Sequence, residues 1–214
     1  MQSTKLIYFY DALCGWCYGF APVIAQLHAE MGDTLSFDVV SGGMVTGARI
    51  GPIGAVAGYI SWAYKDVERA TGVTFGEGFL QGTMAQGTAI FTSVPPALAL
   101  AAFRQQQPTR VLDFAGALQR AVYADGIAPL DYDAYAPYAR ELGADGEALV
   151  AAMHAPATLA AAEAEFAQTA AYGVQGFPTV VVQHGEQAAV VARGYTALAP
   201  LRTRVRAALS QLAE

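Results

Sequence analysis

Cys14 and Cys17 are the only cysteines in the 214 residues, and two residues separate them. They follow a short apolar-aromatic run, Leu6 to Tyr10. They open a stretch to Met31 in which Cys17, Phe20, Ile24, Leu27 and Met31 recur at steps of three and four. The first pattern reads as a buried strand and the second as the core-facing stripe of a helix. The pair therefore falls in a strand-to-helix turn, with Cys14 at the helix N-terminus. The first N–H groups of a helix lack intrahelical partners and carry the positive end of the macrodipole, so a thiolate there is stabilised. Cys17, one turn further on, points back at the same spot, close enough to close a small disulfide ring. Cys14 is the expected exposed nucleophile and Cys17 the buried resolving thiol.

The same two thiols could be half of a zinc site, which asks for four thiolate or imidazole ligands. His28 is on the same helix as Cys17 but about 16 Å away at about 1.5 Å per residue. His154 and His184 stand alone in the sequence. No metal site is expected, and thiol–disulfide exchange calls for no organic cofactor.

A strand, Asp11, Cys14-Gly15-Trp16-Cys17, a helix with Pro22 soon after the second cysteine, a long spacer, and Gly173-Val174-Gln175-Gly176-Phe177-Pro178-Thr179 together resemble the thioredoxin superfamily. Within it the chain is similar to the DsbA-type oxidoreductases, and most to their FrnE-like, predicted protein-disulfide isomerase branch. The resemblance implies an α/β thioredoxin fold with a mixed central sheet. It also implies a cis peptide at Phe177–Pro178 abutting the cysteines, and a substrate-binding set of Gly15, Trp16, Phe177 and Pro178. Asp11 has two readings, a carboxylate that tunes the thiols or relays a proton, and a turn or capping group ahead of the helix.

Along the rest of the chain, Leu35 to Val40 reads as a second strand, leaving through Ser41-Gly42-Gly43. Residues 44–172 carry helical periodicity over Pro52–Thr71, Pro95–Gln106, Thr109–Ala124, Tyr132–Leu142 and Asp145–Tyr172, the last divided at Pro156. The glycine-rich stretch 73–92 reads as loop with at most one short helix. The aromatics Tyr59, Trp62, Tyr64, Phe75, Phe79 and Phe91 read as core packing ahead of a substrate face. Thr179–Gln183 and Ala188–Arg193 form a hairpin, and a last helix carries Leu198, Leu201, Val205, Leu209 and Leu212 on one face. The expected organisation is a thioredoxin-like domain of residues 1–42 and 173–214, with a large all-helical insertion domain, 43–172, after the second strand.

Composition narrows the function. Apolar residues make up 54 % and charged residues 14 %, which supports a large core and excludes a disordered chain. Twelve basic against 18 acidic residues speak against nucleic acid as a partner, and Arg202, Arg204 and Arg206 read as a solvated helix face. No export signal or membrane-spanning run is visible, so a cytoplasmic location and no membrane partner are expected. In a reducing compartment a lone C-x-x-C is catalytic or metal-binding, seldom structural.

The expected function is thiol–disulfide exchange, as oxidoreductase or disulfide isomerase, on cysteine-containing polypeptides or low-molecular-weight thiols, with a separate redox-recycling partner. Two alternatives stand beside it. One is a glutathione-dependent transferase or isomerase of the kappa-class or hydroxychromene-carboxylate isomerase type, whose members share the insertion but carry serine at the key position. The other is a non-catalytic thiol redox sensor. Because Gly15-Trp16 contains no cation and Asp11 adds negative charge, the expected potential lies below DsbA's roughly −120 mV, towards thioredoxin's roughly −270 mV.

Overall fold

Leu6 to Tyr10 are buried on both faces because their strand, β1 (Thr4–Tyr10), is an inner strand of the sheet. The computed structural model describes residues 4–212. β2 (Ser36–Ser41) pairs with β1 in parallel, Lys5 opposite Ser36 and Tyr10 opposite Ser41. On the other side β5 (Thr179–His184) pairs antiparallel, and β6 (Gln187–Arg193) closes the order β2-β1-β5-β6. A parallel β1–β2 pair needs a crossover, and α1 (Gly15–Met31) supplies it. The stripe Cys17, Phe20, Ile24 and Leu27 faces inward as its spacing predicts, with Pro22 inside the helix. α9 (Leu198–Leu212) packs on β5, β6 and α1 through Leu201, Val205 and Ala208. This is the mixed-sheet thioredoxin architecture.

Between β2 and β5 the chain is helical apart from one two-residue ladder, β3 (Gly51–Pro52) against β4 (Ile90–Phe91). Its helices are α2 (Ala57–Thr71), α3 (Met84–Gln86), α4 (Val94–Gln106), α5 (Val111–Arg120), α6 (Ala136–Glu141), α7 (Gly146–Met153) and α8 (Pro156–Ala171). Asp145 caps α7, accepting from the N–H groups of Glu147 and Ala148, and Pro156 opens α8. None of the helices among the described residues is long and apolar enough to cross a membrane.

The stretch 73–92 holds one short helical segment between loops, in keeping with the sequence reading, though its form is unusual. Gly78–Thr83 forms a π-helical turn that lies against a second one, Ala121–Asp125. The glycines are there for close approach: a Cβ on Gly76 would stand 2.1 Å from the Ala124 carbonyl oxygen, and one on Gly78 2.3 Å from that of Asp125. Glycine content thus marks backbone contact here, not a flexible connection.

Arg104 on α4 fastens the helices to the sheet. It pairs with Asp38 on β2 at 3.0 Å and Glu165 on α8 at 3.1 Å, and donates to the Val39 carbonyl. Burial raises the Glu165 carboxyl, and Arg104 opposes that shift. One apolar core runs continuously from β1 and α1 into α4, α5 and α7.

Candidate active site

Cys14 takes extended φ and ψ at the N-cap of α1, and its carbonyl accepts from the N–H groups of Cys17 and Tyr18 at 3.0 and 3.1 Å. Both thiols are free and adjacent, so the Cys14 sulfur faces the thiol of Cys17 across one helical turn. Cys17 is fully buried, and that burial, followed by its contact with Cys14, pushes its thiol well above the ordinary range. The backbone of Asp11 and the Tyr8 hydroxyl act in the opposite sense. Tyr8 lies in the floor beneath α1, its ring 5.7 Å from that of Phe20.

The expectation of an exposed Cys14 needs correction. It is only 7 % exposed, against 0 % for Cys17. Its thiol donates to the Phe177 carbonyl at 3.5 Å, and the segment after β2 is tied to the turn before the helix by the Met44 N–H on Asp11. Cys14 is reached through a cavity of about 730 Å³ that it lines together with Gly15, Trp16 and Met44. The asymmetry between the thiols therefore comes from access through one opening.

The Phe177–Pro178 peptide is cis, and Pro178 is buried at the start of β5. The Phe177 ring turns away from the cavity and lies on Gly42, where a Cβ would stand 2.1 Å from its Cζ. Only the Phe177 carbonyl meets Cys14. Of the four residues expected to bind substrate, Gly15 and Trp16 line the cavity, while Phe177 and Pro178 do not.

Asp11 is buried and its carboxylate is committed to the loops around the cysteines. Oδ1 accepts from the Leu13 N–H and the Ser93 hydroxyl, both at 2.9 Å, and Oδ2 accepts from the Met44 N–H at 2.7 Å. Burial raises its pKa, while these hydrogen bonds and the charge of Arg49 lower it. The contacts are those of a turn-fixing group, since α1 has no side-chain cap. Tyr123 completes the cradle by donating to the Leu13 carbonyl.

Several of these residues escaped sequence reasoning. Ser93 precedes Val-Pro-Pro and has the local look of a helix cap, yet its hydroxyl serves Asp11 and the Val45 N–H. Met44, just beyond the Gly42-Gly43 turn, both holds Asp11 through its N–H and lines the cavity. Tyr123 and Arg49 carry no local signal at all. The aromatics of the insertion divide: Phe75, Phe79 and Phe91 are buried as expected, but Tyr59 is 60 % and Trp62 56 % exposed. The stripe Val56, Ile60, Ala63 and Val67 lines the cavity wall. The three histidines lie apart, His28 against Phe37, His154 stacked on Tyr132 and His184 bonded to Thr4.

A family profile for the DSBA-like thioredoxin domain matches residues 84–203, more than half of the chain and outside the cysteine pair. No curated protein matches the chain. Among solved structures it is similar to a candidate protein disulfide isomerase from Nitrosomonas europaea, with a TM-score of 0.86 at 25 % identity over 98 % of each chain. It is also similar to the cytosolic disulfide reductase DsbM from Pseudomonas aeruginosa, with a TM-score of 0.80 at 26 % identity, covering 98 % of this chain and 100 % of that one. The same reductase solved with GSH gives 0.76 at 27 % identity, over 97 % and 98 %.

Proposed function

This chain belongs to the DSBA-like thioredoxin-domain family and is a thiol–disulfide oxidoreductase, and we propose that its chemistry runs through Cys14 as nucleophile and Cys17 as resolving thiol. The observation that carries the proposal is the placement of Cys14. It sits at the helix N-cap, against the Phe177 carbonyl, as the one thiol among the cavity-lining residues, with Cys17 buried behind it.

In the reducing direction the Cys14 thiolate attacks one sulfur of a substrate disulfide. A Cys14–substrate bond forms and the other half leaves as a thiolate. Cys17, on losing its proton, attacks Cys14, closes the Cys14–Cys17 disulfide and expels the second thiolate. In the oxidising direction a substrate thiolate opens the Cys14–Cys17 disulfide at Cys14, and the same steps run backwards. The substrate half rests in the cavity against Gly15 and Trp16, while the Phe177 carbonyl contacts Cys14 itself. Cysteine-containing polypeptides and low-molecular-weight thiols both satisfy this chemistry. The neighbour solved with GSH supports a small thiol as the species that recycles the enzyme.

Replacing Cys17 by serine traps the Cys14–substrate disulfide, and replacing Cys14 abolishes both trapping and turnover. Mixed disulfides that accumulate on Cys17 when Cys14 is replaced, as readily as the reverse, would overturn the assignment.

A further inference from the structure

The cavity that opens on Cys14 is walled by apolar and aromatic side chains, and Arg49 is the one charged residue among those lining it. Arg49 ends a short 3-10 turn, Gly47–Arg49, and is exposed. Its guanidinium turns back to the Gly43 carbonyl at 3.5 Å, a long contact that leaves most of its donors unused. None of the ion pairs among the described residues involves it.

Arg49 and Cys14 line the same cavity, and a chain of hydrogen bonds connects their loops. Gly43 precedes Met44, whose N–H binds Asp11, and the Asp11 carbonyl accepts from the Cys14 N–H at 3.0 Å. Asp11 is 2 % exposed and its oxygens are already engaged, so it cannot meet Arg49 directly. The other polar groups on the cavity wall offer no competing charge, and the Tyr123 hydroxyl is spent on the Leu13 carbonyl. The chain carries a net charge of −6, so its overall field opposes an approaching anion and a local cation is needed to receive one.

Resting on the thiol–disulfide reading above, we infer that Arg49 selects disulfides bearing a carboxylate close to the sulfur that Cys14 attacks. The anion meets the guanidinium at the cavity mouth while the apolar part of the substrate lies along α2. Arg49 is a specificity-determining residue that takes no part in bond exchange. The thiolate attack, the release of the second half as a thiolate and the closure by Cys17 proceed as described.

The test uses three small disulfides that differ chiefly in charge: dithiodipropionate, 2-hydroxyethyl disulfide and cystamine. The rate of each with the reduced full-length protein is divided by its rate with dithiothreitol, which removes intrinsic differences in reactivity. The expected normalised order is anionic over neutral over cationic. Anion and cation differ by about fivefold to tenfold at low salt, the size expected for one partly exposed charge pair, and the gap shrinks in high salt. Arg49→Gln brings the three rates together, and Arg49→Glu reverses their order.

Peptides with Asp or Lys beside a disulfide-bonded cysteine separate the two sources of such a carboxylate. Selection among peptides as well assigns the site to polypeptides, and selection confined to small disulfides assigns it to low-molecular-weight thiols. Equal normalised rates in the active wild-type protein, or selectivity that survives Arg49→Gln, would overturn the inference and leave the exchange reading intact. Failure of the wild-type protein to react with any of the disulfides would overturn the exchange reading itself, and the inference with it.

Discussion

In α4, nine consecutive residues from Pro95 to Phe103 are buried, whereas α2 buries Val67 alone and holds Tyr59 and Trp62 out at 60 % and 56 % exposure. Both helices are rich in apolar side chains, and both belong to the long excursion between β2 and β5. The difference is in their neighbours. α4 is enclosed by α5, α7 and α8, so nearly every direction around its axis meets another helix. α2 rests on α1 along one side, through Val67 and Thr71 against Gly19, and its Tyr59, Ile60, Ala63 and Tyr64 border the cavity over Cys14. An apolar stripe is spent on stability where a second layer covers it, and is left to bind where none does.

The sharpest way to break this contrast is to cut into α4. Phe103 is fully buried and stacked on Phe114, ring centroids 4.1 Å apart and planes 11° from parallel. Phe103→Ala removes that contact and leaves a cavity in a site enclosed on all sides, so a loss of about 3–5 kcal/mol is expected in denaturant unfolding. A loss below about 1 kcal/mol would mean that α4 is far less tightly enclosed than it looks.

Asp11 gives the next largest effect, because the two parts of the excursion meet on it: Met44 from the start of the first part and Ser93 from the start of the second. Asp11→Asn preserves shape but places an amide N–H₂ against one of the three donors. A loss of roughly 1–3 kcal/mol follows from leaving that donor unpaired. The effect depends on pH. Burial raises the Asp11 carboxyl above its ordinary 3.8. A raised carboxyl contributes its stability fully below the unfolded-state value and loses it as pH rises through the folded-state value. The gap between wild type and variant should therefore be widest in acid and narrow as pH rises. A gap that widens with pH would show that the hydrogen bonds, not burial, govern Asp11.

How far the molecule could be read from its sequence follows the range of the forces involved. The α1 stripe, the β5–β6 hairpin and the break at Pro156 are set by neighbours within a few residues, and the periodicity shows them. The cysteine pair and its place at a helix start were legible for the same reason. The bond from Ser93 to Asp11 spans 82 positions and that from Tyr123 to Leu13 spans 110, and no local pattern carries either. Arg49 was invisible as a site residue because only the turn after β2 brings it over the cavity. The reading of Cys14 as exposed went wrong similarly, since the carbonyl that meets its thiol belongs to Phe177, 163 positions away. The role of the glycines at 76 and 78 was not legible, because the same residue serves a loop and a tight backbone contact, and only the partner turn at Ala121–Asp125 tells them apart.

The smallest effect on stability is expected on α2, and there the contrast is tested on binding. Tyr59 lines the cavity and Trp62 backs it edge-on, ring centroids 5.0 Å apart. Both are mostly exposed, so Tyr59→Ser and Trp62→Ser remove little buried surface and should change unfolding free energy by no more than about 0.5 kcal/mol. A substrate half lying along α2 covers these rings, and burying part of an aromatic ring is worth about 1 kcal/mol. Losing it weakens ground state and transition state alike, which raises KM by about fivefold and leaves kcat unchanged. The measurement is steady-state kinetics on a disulfide-bonded peptide, with 2-hydroxyethyl disulfide as a control too small to reach Tyr59. An unchanged KM for the peptide would show that α2 is not a binding wall. A stability loss like that of Phe103→Ala would show that α2 is core after all.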